Sequence, residues 1–458
     1  MENLLKRVIF LIIVVSIVTI FLAAFVNQGM WWDEAVYLGL GRNIEKGFYS
    51  LDREELVDTF RPPLFSLMIS PFSNSILFSR ILVIIFSVLS IAMTYYLSKE
   101  LFGKDVALLS SLFLSTNQFF VFFSTKILSE SLFIFFISLS LLFFLRRRKP
   151  VNAFASGLFA GLALMTRYLG TIIVASYAFY SIYIFYRKRE MKLFNEVIFI
   201  SLGFAISIFP WLALSQVYYG SIWGAYFTNL SVYSGSIASD FSSYFADIYS
   251  VFGLQLIFII VGIYVMLRQE KTGYKFLLVS LLILPLLFFS FAFHRESRYV
   301  LSYMPVYAIF CGLALRFESK NFGKYLKYLP LAAVLVCVIS LFTGLSYAWN
   351  DRVSGESLVE GSLYLKNITQ ESDIVMTESR PYIYYFSERR AVRFPDSPED
   401  VSRVIEYYKV KFIFVYKFEP GNPPYVADYF GKNSGFGLVK KYEQWGDPEA
   451  VRIYEVIR

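Results

Sequence analysis

The chain has 458 residues, of which 57% are hydrophobic and only 17% charged, with a mean hydropathy of +0.54. Soluble domains are about a quarter charged, whereas several apolar runs here approach the ~20 residues that cross ~30 Å of hydrocarbon as helix. A soluble globular class is thereby excluded. The net charge of +8 falls in short clusters between apolar runs, so it speaks for membrane topology and not for a nucleic-acid surface.

The first apolar run, 8–26, is long for a signal-peptide core and has no small-x-small cleavage site, so it reads as a retained signal anchor. Further helices are predicted at 76–97, 106–124, 128–145, 151–166, 169–186, 196–215, 248–267, 276–293, 299–316 and 328–348, which makes about eleven transmembrane spans. The fifth and sixth are short and separated only by Thr166-Arg167-Tyr168. Basic clusters at Lys6-Arg7, Lys99 with Lys104, Arg146–Lys149, Arg187–Arg189, Arg268 with Lys271, and Lys320 with Lys324 occupy alternate loops. Those loops hold roughly 19 Lys and Arg against roughly 8 in the opposite set. The richer set belongs in the cytoplasm, which puts the amino terminus inside and, with an odd number of spans, the carboxy terminus outside.

The outer loops are then 27–75, 125–130, 167–168, 216–247 and 294–298. Within the first, Glu34–Ile44 has the spacing of an interfacial helix with Tyr37, Leu40 and Ile44 toward lipid. The 216–247 loop is rich in Tyr, Ser and Gly and lacks Lys and Arg. From about 350 the charge rises. Asp373–Thr377, Lys411–Tyr416 and Val451–Val456 read as strands, and Ser397–Tyr408 as a helix with a Ser-Pro-Glu-Asp start. Two domains follow: 1–349 in the membrane and 350–458 as an extracytoplasmic α/β domain. The latter lacks GxGxxG and GxxxxGK[ST] loops, so no nucleotide site is assigned to it. Cys311 and Cys337 lie in separate apolar runs and read as buried free thiols.

Five short stretches carry the polar chemistry. Trp31-Trp32-Asp33-Glu34 sets two carboxylates at the membrane surface, suited to general-base work or to capping a helix. In Phe60-Arg61-Pro62-Pro63-Leu64 the prolines fix the backbone and aim Arg61, a guanidinium matched to phosphate. Lys126-Ile127-Leu128-Ser129-Glu130 places an acid where a helix dipole also favours one. Arg167 is a charge at membrane depth, which is costly and marks function by default. His294-Arg295-Glu296-Ser297-Arg298-Tyr299 contains the single histidine and two arginines at i,i+3. All five stretches fall on the outer face. Acids and cations gathered at one headgroup plane suit transfer from a lipid-linked phosphate donor.

These motifs carry a family resemblance. Asp33-Glu34-Ala35 with Tyr37 in the first outer loop, Arg61-Pro62-Pro63-Leu64, Ser129-Glu130, Gly161–Arg167, and Arg298-Tyr299 with Pro305 resemble the GT-C glycosyltransferases. Within them the chain is most similar to family 39, the protein O-mannosyltransferase and lipid A aminoarabinose transferase branch. The resemblance covers about 1–350. It implies an α-helical polytopic membrane protein of GT-C type with a carboxy-terminal extracytoplasmic α/β domain. It also implies an inverting sugar transfer from a polyprenyl-phosphate donor to a glycan, lipid or protein acceptor, at the plasma membrane and among membrane lipids. On it, Asp33 matches the catalytic acid, with Glu34 and Glu130 as further catalytic acids. Arg61 and Arg298 match donor-phosphate contacts, joined by Lys126, Arg167, Arg295 and Tyr299. A divalent metal stays open as cofactor, with Glu130 and His294 as candidate ligands. Two rival classes were weighed. A transporter or flippase of lipid-linked sugars predicts charges inside the spans and broken helices in paired halves. A non-catalytic membrane scaffold predicts that the carboxy-terminal domain carries the function.

Overall fold

The computed structural model describes residues 3–52, 57–58, 60–188, 192–233, 241–268, 273–291, 296–317 and 328–457. The backbone divides into two compact units. The first comprises 1–26, 59–67 and 77–350, and the second 27–58, 68–76 and 351–458.

The first unit is helical. Five helices are long and apolar enough to cross a membrane: Asn3–Val26, Ile76–Phe102, Tyr168–Arg187, Phe194–Tyr219 and the apolar part of Leu329–Ile368. Glu130–Leu145, Pro150–Thr166 and Lys275–Phe288 are shorter apolar helices. Every apolar run expected to be helical is helical among the described residues, but three differ in form. The run 106–124 breaks into Lys104–Thr116 and Gln118–Phe123. Asn117 leaves the helix with extended dihedrals, and its side chain accepts from the amides of Phe119 and Phe120, which caps the second piece. Ala246–Phe252 and Gln255–Arg268 meet at 96°, with Gly253 at φ +51° supplying the turn. The 299–316 run opens as a 3₁₀ segment, Ser297–Tyr303, before the helix Met304–Ala314. The 216–247 loop is largely helical, through Gly224–Tyr233 and the start of Phe241–Phe252.

The tightest helix pair is α1 (Pro150–Thr166) with α2 (Lys192–Tyr219). The residues that permit this are small. A methyl group at Gly157 would collide with the Ile200 carbonyl, and one at Gly203 with the Phe154 carbonyl. Small residues four apart let two helix backbones close in hydrocarbon, where apolar burial supplies no drive and dispersion must. Near one end of this pair Arg147 turns inward. Its guanidinium meets Glu196 at 2.7 Å and stacks on Phe144 at 4.4 Å and Tyr180 at 5.2 Å. Cys311 and Cys337 are buried free thiols.

The second unit is α/β. Its sheet comprises β1 (Ile374–Met376), β2 (Arg390–Val392), β3 (Val410–Tyr416), β4 (Phe436–Gln444) and β5 (Asp447–Val456), in the order β2-β1-β3-β5-β4. β2, β1 and β3 run parallel, while β5 is antiparallel to β3 and β4. β3 is buried at every position but Lys411, as a central strand covered on both faces should be. Val401 on the helix Val401–Tyr408, Val410, Ile413 and Val415, Phe394, Phe430 and Tyr454 form one apolar cluster. Each such aliphatic contributes about 1.5–3 kcal/mol on burial. The helix Trp32–Glu45 belongs to this unit and corrects the lipid-facing expectation. Tyr37 and Leu40 are 7% and 0% exposed. Protein covers them: the helix packs against the segments Arg380–Tyr382 and Ile383–Ser387.

Candidate functional site

In the α/β unit, the Trp-Trp-Asp-Glu stretch opens a helix. Trp31 is extended at φ −92°, ψ 159° and is the N-cap, so Trp32, Asp33 and Glu34 occupy the first turn. An Oε of Glu34 accepts the Trp31 amide at 2.8 Å, closing the amino-terminal turn in the manner of a capping box. Glu34 is therefore the capping acid and is completely buried, whereas Asp33, one residue earlier, is half-exposed in the field of the helix amino terminus.

The backbone entering this helix is stitched to the carboxy-terminal segment. The Met30 amide donates to the Ser354 carbonyl at 2.8 Å, and the Trp31 indole donates to Asp351 at 2.7 Å. The Tyr382 hydroxyl donates to the Met30 carbonyl at 2.9 Å. Burial, then the negative charges of Glu34 and Glu419 and, more weakly, Tyr416 and Asp33, hold the Tyr382 phenol well above its ordinary range. It stays protonated and keeps donating. Further along the helix, Arg42 donates to Asn74 at 2.9 Å and to the Tyr385 carbonyl at 2.8 Å, with its guanidinium over the Tyr385 ring. Asp33 therefore rides on a helix tied down at both ends.

In the helical unit, three of the five polar stretches converge. Glu130 opens the helix Glu130–Leu145 and is 3% exposed. Arg167 follows the carboxy terminus of α1, where the chain turns extended at φ −151°, ψ 136° before the 3₁₀ turn Tyr168–Gly170. That break aims its guanidinium at Glu130 Oε1, 2.5 Å away, and at the Ser129 hydroxyl, 3.2 Å away. Arg298 lies on the 3₁₀ segment. Its Nε stands 3.9 Å from the same Glu130 oxygen and 2.5 Å from Glu296 Oε2, and its Nη2 donates to Glu296 Oε1 at 2.9 Å. Both guanidiniums lie over the Tyr299 ring, at 5.5 Å and 5.8 Å from its centre. The Tyr299 hydroxyl donates to Glu296 at 3.1 Å. The segment is fixed from both sides: Ser297 donates to Asp247 at 2.6 Å and Tyr303 to the Leu169 carbonyl at 2.9 Å. Glu130 Oε2 is buried with no hydrogen-bond partner.

Arg61 and Lys126 belong to the same unit. Pro63 accepts the first amide bond of the helix Leu64–Ile69, which leaves Arg61 just before it, 8% exposed and over the Phe60 ring. Lys126 sits in the turn before Glu130 and is completely buried, a position an ammonium tolerates only when paired. His294 and Arg295 lie outside the described residues. Among the described residues no three His, Cys, Asp and Glu groups gather closely enough to hold a metal ion. Glu130, the other candidate ligand, has its Oε1 engaged by guanidinium. Glu296, Asp351 and Tyr382 were not anticipated. Only Glu296 carried any signal, as a carboxylate inside the His294–Tyr299 stretch.

The chain thus joins a helical membrane unit holding two partly buried guanidiniums to a small α/β unit. The fold comparison agrees. The chain is similar to ArnT from Cupriavidus metallidurans bound to undecaprenyl phosphate, with a TM-score of 0.75 and 14% identity over 98% of each chain. It is also similar to the oligosaccharyltransferase AglB from Archaeoglobus fulgidus, with a TM-score of 0.62 and 13% identity over 97% of this chain and 74% of that one. A third likeness is to the mycobacterial arabinofuranosyltransferase AftD, with a TM-score of 0.58 and 11% identity over 99% of this chain and 40% of that one. By sequence, residues 61–214 match the dolichyl-phosphate-mannose-protein mannosyltransferase family model. No curated protein matches the chain. The chain is an integral membrane protein that shares its fold with these proteins, and its residues 61–214 are similar to that mannosyltransferase family.

Proposed function

We propose that the chain transfers a sugar from a polyprenyl-phosphate donor to a hydroxyl of a glycan, lipid or protein acceptor at the extracytoplasmic face, with inversion. The observation that carries this reading is the pair of guanidiniums, Arg167 and Arg298, held over one ring in the helical unit. Paired planar guanidiniums suit the oxygens of a phosphate, and a site largely shielded from water strengthens them. The family match at 61–214 adds Arg61, and Lys126 is buried in the same unit. Arg295 completes the assignment.

Asp33 acts as general base. It takes the acceptor hydroxyl proton as that oxygen attacks the anomeric carbon from the face opposite the phosphate. The anomeric carbon–oxygen bond to phosphate breaks, and polyprenyl phosphate leaves with a second negative charge that the cations offset. Glu34 supports this by fixing the helix that presents Asp33. Glu130 acts through the arginines it holds. The amino terminus is cytoplasmic and the α/β domain extracytoplasmic, as the distribution of basic loops supports.

The test is Asp33→Asn in purified protein supplied with polyprenyl-phosphate sugars, with acceptors read by mass spectrometry. Transfer should disappear while expression and membrane insertion persist. Near-normal transfer would sink the assignment.

A further inference from the structure

Glu296 touches Arg298 and Tyr299, and no motif assigns it a role. We propose that Glu296 is a positioning residue that sets the plane and direction of Arg298 for the donor phosphate. The inference rests on the phosphate-binding role proposed above for Arg298.

The carboxylate lies along one edge of Arg298: Nη2 donates to Oε1 at 2.9 Å, and Nε stands 2.5 Å from Oε2 as a charge contact without hydrogen-bond alignment. A guanidinium is rigid and planar, so one hydrogen bond and one close charge contact on that edge restrict its plane and the direction of Nη1. Glu296 is itself fixed. Its Oε1 accepts the Tyr299 hydroxyl at 3.1 Å, and its backbone is extended at φ −134°, ψ 138° as it enters the 3₁₀ segment. The arrangement also answers an electrostatic problem. Arg167 and Arg298 share the Tyr299 ring and the Glu130 Oε1 atom, and two like charges so close repel. Glu130 lies nearer Arg167, at 2.5 Å against 3.9 Å, which leaves room for a second carboxylate at Arg298. Glu296 is that carboxylate. Because it uses the Nε edge, it orients the guanidinium without taking the place of the phosphate.

The experiment titrates purified full-length protein with polyprenyl phosphate. Glu296→Gln keeps the size of the side chain but loses the charge and faces Arg298 with one donor. Its Kd should weaken about 10-fold or more, the range expected for loss of a charge-assisted pair. Glu296→Asp should recover most of the affinity. Tyr299→Phe, which removes only the hydroxyl, should weaken binding a few-fold and serves as a second reading if Glu296→Gln folds poorly. In turnover the loss should appear in the donor KM more than in kcat. An unchanged Kd, or the tighter Kd expected if Glu296 merely competed with phosphate, overturns the inference. Arg298→Gln separates the two levels. If it leaves affinity intact, the phosphate reading of the site itself fails. If it weakens binding while Glu296→Gln does not, the role of Glu296 alone fails.

Discussion

The contact between Arg167 and Glu130 is the most heavily committed interaction in the helical unit, and its strength can be worked out. The carboxylate is 3% exposed, and the Arg167 side chain 13%. Arg167→Gln would leave a buried carboxylate whose Oε2 already lacks a hydrogen-bond partner and which Arg298 approaches to 3.9 Å. Breaking a buried pair by removing one partner costs about 3–5 kcal/mol. Unfolding entropy of ~2.1 cal/mol/K per residue makes 1 kcal/mol worth about 1 °C in Tm for a chain of this length. Arg167→Gln should therefore lower Tm by roughly 3–5 °C, followed by tryptophan fluorescence in detergent. Glu130→Gln should cost a similar amount, since it leaves two guanidiniums over one ring with no charge between them. The double variant should lose no more than the worse single one, a coupling of about 3 kcal/mol or more. Additive losses would show that the two side chains do not stabilise each other and would refute the pairing.

Two further outcomes follow from packing and from burial. Gly157→Ala sets a methyl against the Ile200 carbonyl of the neighbouring helix and should cost about 1–3 kcal/mol, whereas Gly273→Ala, with nothing within 4 Å, should be neutral. Equal thermal stabilities for the two variants would contradict the close approach. In the α/β unit, burial holds the Glu419 carboxyl above its usual range, against a smaller lowering by the Ser379 hydroxyl that donates to it at 2.7 Å. A carboxyl whose pKa is raised by folding contributes stability that is complete below its unfolded pKa and is lost as pH rises through the folded value. Glu419→Gln should accordingly raise Tm at pH 8 and leave it unchanged at pH 4. A shift of equal size at both pH values would remove burial as the cause.

Much of the helical architecture is legible in the sequence because hydrocarbon permits few alternatives: an apolar run of sufficient length must satisfy its backbone internally, and a helix does so. What stayed hidden depends on single residues acting through neighbours far along the chain. The break at Asn117 needs its side chain to outcompete the helix, and the 96° bend needs Gly253 at positive φ. β2 and β4 were missed. β2 has only three residues and takes its stability from pairing with β1, while β4 is half-exposed along its length. The lipid-facing reading of Glu34–Ile44 failed at Tyr37 and Leu40 because an apolar stripe does not disclose what covers it; the helix packs against Ser70–Phe72 and Arg380–Ser387. At the site, residue types and their order pointed to Glu130, Arg167 and Arg298, but not to the partnership. Glu296 escaped because its role exists only once Tyr299 and Arg298 turn onto one 3₁₀ segment.

Two partly buried arginine sites of the helical unit differ in partnership more than in charge. Arg147 came from a basic cluster that the topology rule treats as a solvated marker, yet it turns inward. It meets one carboxylate, Glu196, and is walled by Phe144 and Tyr180. One cation, one anion and an aromatic cage form a closed set, which suits a lock between helix ends. At Glu130 the composition is different. One carboxylate oxygen serves two guanidiniums, the other oxygen has no hydrogen-bond partner, and a second carboxylate lies along Arg298. Such an arrangement is expensive to bury if it only holds helices together, because a well-packed apolar cluster would stabilise the same contact at less cost. Its cations are brought together and oriented before any ligand arrives, which is what recognition of a compact anion requires. Sequence already separates Arg147, one of a basic cluster, from Arg167, alone between two apolar runs; the structure adds that Arg147 closes on one carboxylate whereas Arg167 shares one with a second guanidinium.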